Sequence, residues 1–133
     1  MTFTQLSHFT YGELSHFTYG ELSLDIDALL DLIRTENRDI PVKTYETLLS
    51  LANKLNITIP NDISKHHTDF VRKRITLFLI VQILYYLALS SEFNIDLLPI
   101  NFNITIQQIN VLSDEELTDN CDTVQEVLNK LNE

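Results

Sequence analysis

Residues 75–91 carry no charge over 17 consecutive positions, and they follow directly on Arg72-Lys73-Arg74. The stretch reads Ile-Thr-Leu-Phe-Leu-Ile-Val-Gln-Ile-Leu-Tyr-Tyr-Leu-Ala-Leu-Ser-Ser, apolar around a helix rather than along one stripe. A segment of this kind leaves water in one of two ways: other elements of its own chain wrap it, or it spans a bilayer. A span needs about 20 apolar residues, with about 17 as the lower bound. Gln82 and the two serines dilute a stretch already at that bound, and three amphipathic segments elsewhere need a surface to pack on. The expectation is therefore a buried central helix over 75–90, with a membrane span over 75–91 as the competing reading. Each large apolar side chain it buries contributes roughly 1.5–3 kcal/mol. The basic triplet at its start is expected to pair with the acidic C-terminal part.

The neighbouring segments have the patterning to supply the wrapping. Ile26, Leu29, Leu30 and Ile33 recur at helical spacing behind Asp25, a natural N-cap, and the pattern fades before Pro41. Val42, Tyr45, Leu48, Leu49, Ala52 and Leu55 form a second stripe, with Asn56 as its C-cap. Ser113 and Glu116 form a capping box ahead of a stripe made by Leu117, Cys121, Val124, Leu128 and Leu131. Between these lies a different period: Ile100, Phe102, Ile104 and Ile106 alternate with polar residues, which predicts a half-buried strand. Its mate would be Asn56-Ile57-Thr58-Ile59 or another subunit; a short helical stretch through 104–112 is the alternative. The fold class is thus mainly α: a small bundle of about four helices around a buried central helix (75–90), a short β strand near 100–107, and an N-terminal repetitive arm. A chain of 133 residues suits one such domain, over 25–133.

The arm, residues 1–24, is a threefold octad repeat. Phe9-Thr-Tyr-Gly-Glu-Leu-Ser-His16 and Phe17-Thr-Tyr-Gly-Glu-Leu-Ser-Leu24 agree through seven positions, and a degenerate first unit ends Leu6-Ser7-His8. Thr10 with Glu13, and Thr18 with Glu21, stand in capping-box relation, while Phe9 with Leu14, and Phe17 with Leu22, make hydrophobic staples. The octads therefore predict short capped turns showing one aromatic–leucine face. Tandem Thr-aromatic-Gly-acidic-Leu units, here Thr10-Tyr11-Gly12-Glu13-Leu14 and Thr18-Tyr19-Gly20-Glu21-Leu22, resemble repeats of small tail- or baseplate-region proteins of bacteriophages and prophages of Gram-positive bacteria. The resemblance covers about a fifth of the chain. It implies a phage-encoded structural or accessory protein and carries over no catalytic residue.

Charge narrows the partners. The net charge is −10, and residues 92–133 hold nine acids against one base. Such a surface repels phosphate, so nucleic acid is not an expected partner. There is no glycine-rich phosphate loop, no nucleophile–histidine–acid spacing and no metal motif, so neither catalysis nor a cofactor or metal is expected. His66 and His67 point about 100° apart on a helix, and His8 and His16 are equivalent octad positions. The single cysteine, Cys121, cannot form an internal disulfide and reads as a small buried hydrophobe. Residues 1–7 lack the basic start of a cleavable signal peptide, which predicts the bacterial cytoplasm or a virion.

The function these features favour is a non-enzymatic structural or interaction protein whose repeats dock a larger assembly or another copy of the chain. Phe9, Tyr11, Leu14, Phe17, Tyr19 and Leu22 are the candidate partner-binding residues. The alternatives are a regulatory or inhibitory protein that binds a host protein through its acidic C-terminal helix, and a small membrane protein.

Overall fold

The computed structural model describes residues 16–19, 22–59, 68–90, 92 and 94–131. Strands β1 (His16–Tyr19) and β2 (Leu22–Asp25) lead directly into helix α1 (Ile26–Arg34), followed by α2 (Val42–Lys54) and the long α3 (Asp69–Ser90). A 3-10 turn (Ile95–Leu97), the short α4 (Ile106–Asn110) and α5 (Asp114–Leu131) complete the order among the described residues. The protein is mainly α, as the periodicities predict.

Helix α3 is the centre. From residue 75 to 88 every side chain is buried except Gln82, Tyr85 and Tyr86, which are half-buried. Its cover comes from the chain itself: α1, α2, α4, α5 and the 3-10 turn all pack on it. Among the described residues no helix is long and apolar enough to cross a membrane. The span over 75–91 is thereby replaced by a core helix. The stripes of α1 and α5 are buried throughout, with Ile26, Leu29, Leu30 and Ile33 on α1 and Leu117, Cys121, Val124, Leu128 and Leu131 on α5; on α2 Tyr45, Leu48 and Ala52 are buried, while Leu49 is half-buried and Val42, in the first turn, is exposed.

The helix ends follow local chemistry. Asp25 accepts a hydrogen bond from the Ala28 N–H at 3.0 Å, capping α1. Ser113 and Glu116 satisfy each other's backbone N–H groups, both at 3.1 Å, and start α5. Helix α2 closes in a left-handed residue, Asn56, with φ of 60°. The Ile57 N–H reaches the Ala52 carbonyl at 2.9 Å and the Asn56 N–H reaches the Asn53 carbonyl at 3.1 Å, the paired bonds of a Schellman motif. Asparagine is there because, after glycine, it tolerates that conformation best.

Two expectations need correction. No described residue between 100 and 107 lies in a strand; the segment runs irregularly into α4. The alternation survives, with Ile100, Phe102 and Ile104 half-buried between exposed neighbours, but no strand among the described residues lies beside them. Local polar bonds shape the segment instead: Asn101 Oδ1 accepts from the Asn103 N–H at 3.0 Å. Thr105 and Gln108 then form a capping box that turns the chain into helix. The proposed mate, Asn56 to Ile59, carries no strand either; it is the unwinding end of α2.

The second correction concerns the third octad. The capping relation of Thr18 and Glu21 predicts a helical turn, yet β1 and β2 pair antiparallel with Phe17 opposite Leu24 and Tyr19 opposite Leu22. Phe-Thr-Tyr and Leu-Ser-Leu suit a pleated backbone, and the register leaves only Gly20 and Glu21 between Tyr19 and Leu22, the length of a two-residue hairpin. Isolated helical turns are too costly to nucleate to compete.

Candidate functional site

Of the six residues nominated for partner binding, Phe17 and Tyr19 lie in β1 and Leu22 in β2, while Phe9, Tyr11 and Leu14 fall outside the described residues. The hairpin brings Tyr19 and Leu22 together as a pair and leaves Phe17 two pairs further on, opposite Leu24. Strand β1 packs on α1 and β2 on α2. Leu24, the last octad residue, belongs to the hydrophobic core with 4% of its surface exposed, and Asp25 beside it caps α1. The boundary at residue 24 between arm and domain is therefore bridged by the core at its final position. His16 lies in β1; His8, His66 and His67 are outside the described residues. Among the described residues no group of three His, Cys, Asp or Glu is placed to hold a metal ion.

A cleft of about 400 Å3 opens where the end of α1 and the starts of α3 and α5 meet. Its lining includes Arg34, Glu36, Asp69, Phe70, Lys73, Arg74, Asp114, Glu115 and Thr118. The basic triplet organises this junction, and it does so by splitting up: consecutive helical residues point about 100° apart, so each meets a different neighbour. Arg74 has 1% of its surface exposed. Its Nε and Nη2 donate to the Leu112 carbonyl at 3.0 and 2.8 Å, and Nη1 donates to the Phe70 carbonyl at 2.8 Å. Nη2 also reaches Asp114 at 3.0 Å, and the guanidinium stacks 3.4 Å from the centre of the Phe70 ring. The expected pairing with the acidic C-terminal part holds for this residue.

Lys73 turns instead to the end of α1, donating to the Thr35 carbonyl at 3.0 Å and pairing with Asp69 at 3.5 Å. A cation there meets the negative end of the α1 dipole. Asp69 also accepts from the Ile40 N–H at 3.2 Å, tying the α1–α2 connection to α3. Arg34, on α1, reaches across to α5 through Asp122 and Gln125, both at 3.3 Å. Burial opposes its charge, but hydrogen bonds to Asp31 and Asp122 outweigh that and raise its pKa. Arg72 takes the third direction, toward Tyr45 on α2, where its charge is felt by the phenol. Burial still dominates there and pushes the Tyr45 hydroxyl up to about 12.

The acidic character of α5 lies outside the core. Asp114, Glu115, Glu116, Asp119, Asp122 and Glu126 are all exposed. The hydrogen bonds from Ser113 hold the Glu116 carboxyl below the ordinary glutamate range. Cys121, on the opposite face, is fully buried, and burial pushes its thiol up to about 12. That is the environment of a packing residue rather than a nucleophile.

Sequence reasoning missed the Arg74–Leu112 contact, because a main-chain carbonyl carries no sequence signal. The alternative helical stretch through 104–112 is the one that holds, as α4, and Thr105-Ile-Gln-Gln108 carries the capping-box pattern that starts it. No protein-family model, no curated protein and no solved structure matches this chain.

Proposed function

We propose that this chain is a non-enzymatic structural or interaction protein, of the phage or prophage kind its repeats resemble, which docks a larger assembly or further copies of itself through the octads. One observation supports the reading: the third octad is joined to the domain without a spacer. Leu24 sits in the core and Asp25 caps α1, so a force or a position imposed on β1 and β2 passes directly to the bundle. Phe9, Tyr11, Leu14, Phe17, Tyr19 and Leu22 offer anchors at an eight-residue repeat. Several weak contacts of this kind act together, because each bound unit raises the effective concentration of the next.

The test is a triple variant, Phe9→Ala with Tyr11→Ala and Leu14→Ala, which leaves Leu24 and Asp25 untouched. Size-exclusion chromatography with light scattering should give a concentration-dependent mass for the full chain and a monomer for the variant, with the same helical circular dichroism. A monomer at every concentration, or an oligomer indifferent to the substitutions, would refute docking between copies; docking to a larger assembly is refuted if the triple variant still enters it as the full chain does.

The exposed carboxylates of α5 favour a second reading, a regulatory or inhibitory protein that binds a basic surface on a host protein. Its sign would be an association that weakens steeply with salt and ignores the triple variant.

A further inference from the structure

The cleft of about 400 Å3 between the end of α1 and the starts of α3 and α5 falls within the size of a ligand site, roughly 300–1,000 Å3. Its chemistry emerges when its charges are sorted into those already committed and those left over. Three cations line it, and each is committed. Lys73 serves the Thr35 carbonyl at 3.0 Å and Asp69 at 3.5 Å. Arg74 serves the Phe70 and Leu112 carbonyls and pairs with Asp114 at 3.0 Å. Arg34 pairs with Asp31 and Asp122, neither of which lines the cleft. The positive ends of α3 and α5 are likewise answered, by Asp69 and by Asp114 with Glu116. An anion would have to break one of these pairs to find a cation here.

Two lining carboxylates are left over. Glu36, just beyond α1, and Glu115, in the first turn of α5, are both exposed. No cation among the described residues stands within ion-pair distance of either. Ile33 and Leu117, each 3% exposed, give the cleft an apolar floor, and Phe70, 50% exposed, gives it an aromatic wall. A ligand that fits has an apolar stem ending in a positive charge, and that charge is flat enough to lie on a ring. A lysine side chain meets the first demand, and an arginine side chain meets both. The chain itself displays the contact: the Arg74 guanidinium lies 3.4 Å from the centre of the Phe70 ring while bonded to Asp114.

We propose that this cleft binds an arginine side chain of a protein partner, its methylene stem on Ile33 and Leu117 and its guanidinium among Glu36, Glu115 and the Phe70 ring. The inference is independent of the octads. It rests on the second reading above for a basic partner, and narrows that reading from an acidic surface to one residue type at one place.

The test titrates the 15N-labelled full chain, at constant ionic strength, with acetylated and amidated penta-alanine peptides whose central residue is arginine, lysine or neutral citrulline. The arginine peptide should shift the amide resonances of residues 33–36, 69–74 and 114–118 saturably. The lysine peptide should bind about threefold more weakly and the citrulline peptide about tenfold more weakly. Glu36→Gln combined with Glu115→Gln, at exposed positions without partners, should leave the fold intact and weaken the arginine peptide about five- to tenfold. Phe70→Leu should weaken it about threefold, and circular dichroism at 222 nm checks that each variant is folded. Arginine and lysine peptides bound alike, with shifts spread over Asp119, Asp122 and Glu126 and unmoved by the variants, would keep the acidic-surface reading and overturn the cleft. Equal binding of the citrulline peptide, or no saturable shift with arginine, would also overturn the cleft and leave the second reading to its own salt dependence.

Discussion

Replacing Arg74 by methionine separates two views of what this buried cation does. Methionine keeps most of the aliphatic volume and removes every donor. If the ion pair with Asp114 were the main interaction, its loss would matter little, because the Asp114 side chain is 93% exposed and pairs with so wet a partner contribute about 0–1 kcal/mol. The geometry points elsewhere. Two N–H groups converge on the Leu112 carbonyl at 3.0 and 2.8 Å and a third serves the Phe70 carbonyl at 2.8 Å. Charge-assisted bonds of this kind contribute about 1.5–3 kcal/mol each, and a buried carbonyl left unsatisfied costs about 1–3 kcal/mol. These terms overlap, so Arg74→Met should cost about 3–4 kcal/mol. Asp114→Asn should cost under about 1 kcal/mol. Urea unfolding followed at 222 nm measures both. With a slope of about 2 kcal/mol per molar urea, the midpoint should fall by about 1.5–2 M for the arginine variant and by less than about 0.5 M for the aspartate variant. Equal shifts, or an arginine variant within about 1 kcal/mol of the parent, would show that the carbonyl contacts are not what Arg74 contributes.

Further outcomes follow from the same structure. Leu24→Ala should cost about 2–4 kcal/mol in urea unfolding, as a core leucine does, although by sequence it belongs to the repeat. Cys121 should resist a thiol reagent at neutral pH in the folded protein and react at once in denaturant. Its raised pKa favours the folded state fully below 9.0, and that contribution should fade as pH climbs from there toward about 12, which stability measured across that range would detect. Glu116 titrates the other way: its carboxyl is held below 4.5, so the α5 cap is intact above that pH and is lost as pH falls through the depressed value. Ser113→Ala should flatten that acid dependence in a pH series of unfolding curves.

The helices were legible because their signals are local. A cap and a stripe lie within one or two turns, as at Asp25 for α1 or Ser113 for α5, and on those two helices the buried faces match. The 100–107 segment misled because alternation reports a chain that is half-buried, not one that is paired. Phe102 lies against Tyr85 with ring centres 5.4 Å apart, so burial comes from α3 and needs no neighbouring strand. The third octad carried two contradictory local signals, a capping box and a Gly-X pair between β-prone flanks, and the hairpin prevailed. The basic triplet read as one charged block. Its division among three neighbours depends on tertiary packing, which composition and spacing do not contain. Phe9, Tyr11 and Leu14 lie outside the described residues, so for half of the nominated anchors the sequence is the whole argument.

The division of that triplet also bears on how α3 finds its seat. A rod greasy all the way round has almost no preference for which side faces which neighbour, and oil alone would let it spin or slip by a turn. Arg72, Lys73 and Arg74 sit at one end like the bit of a key, each cut to a different ward: the α2 phenol, the α1 carbonyl end and the chain just before α5. Rotating the rod would drag at least two charges into hydrocarbon. Specificity for the least polar helix thus resides in its most polar turn.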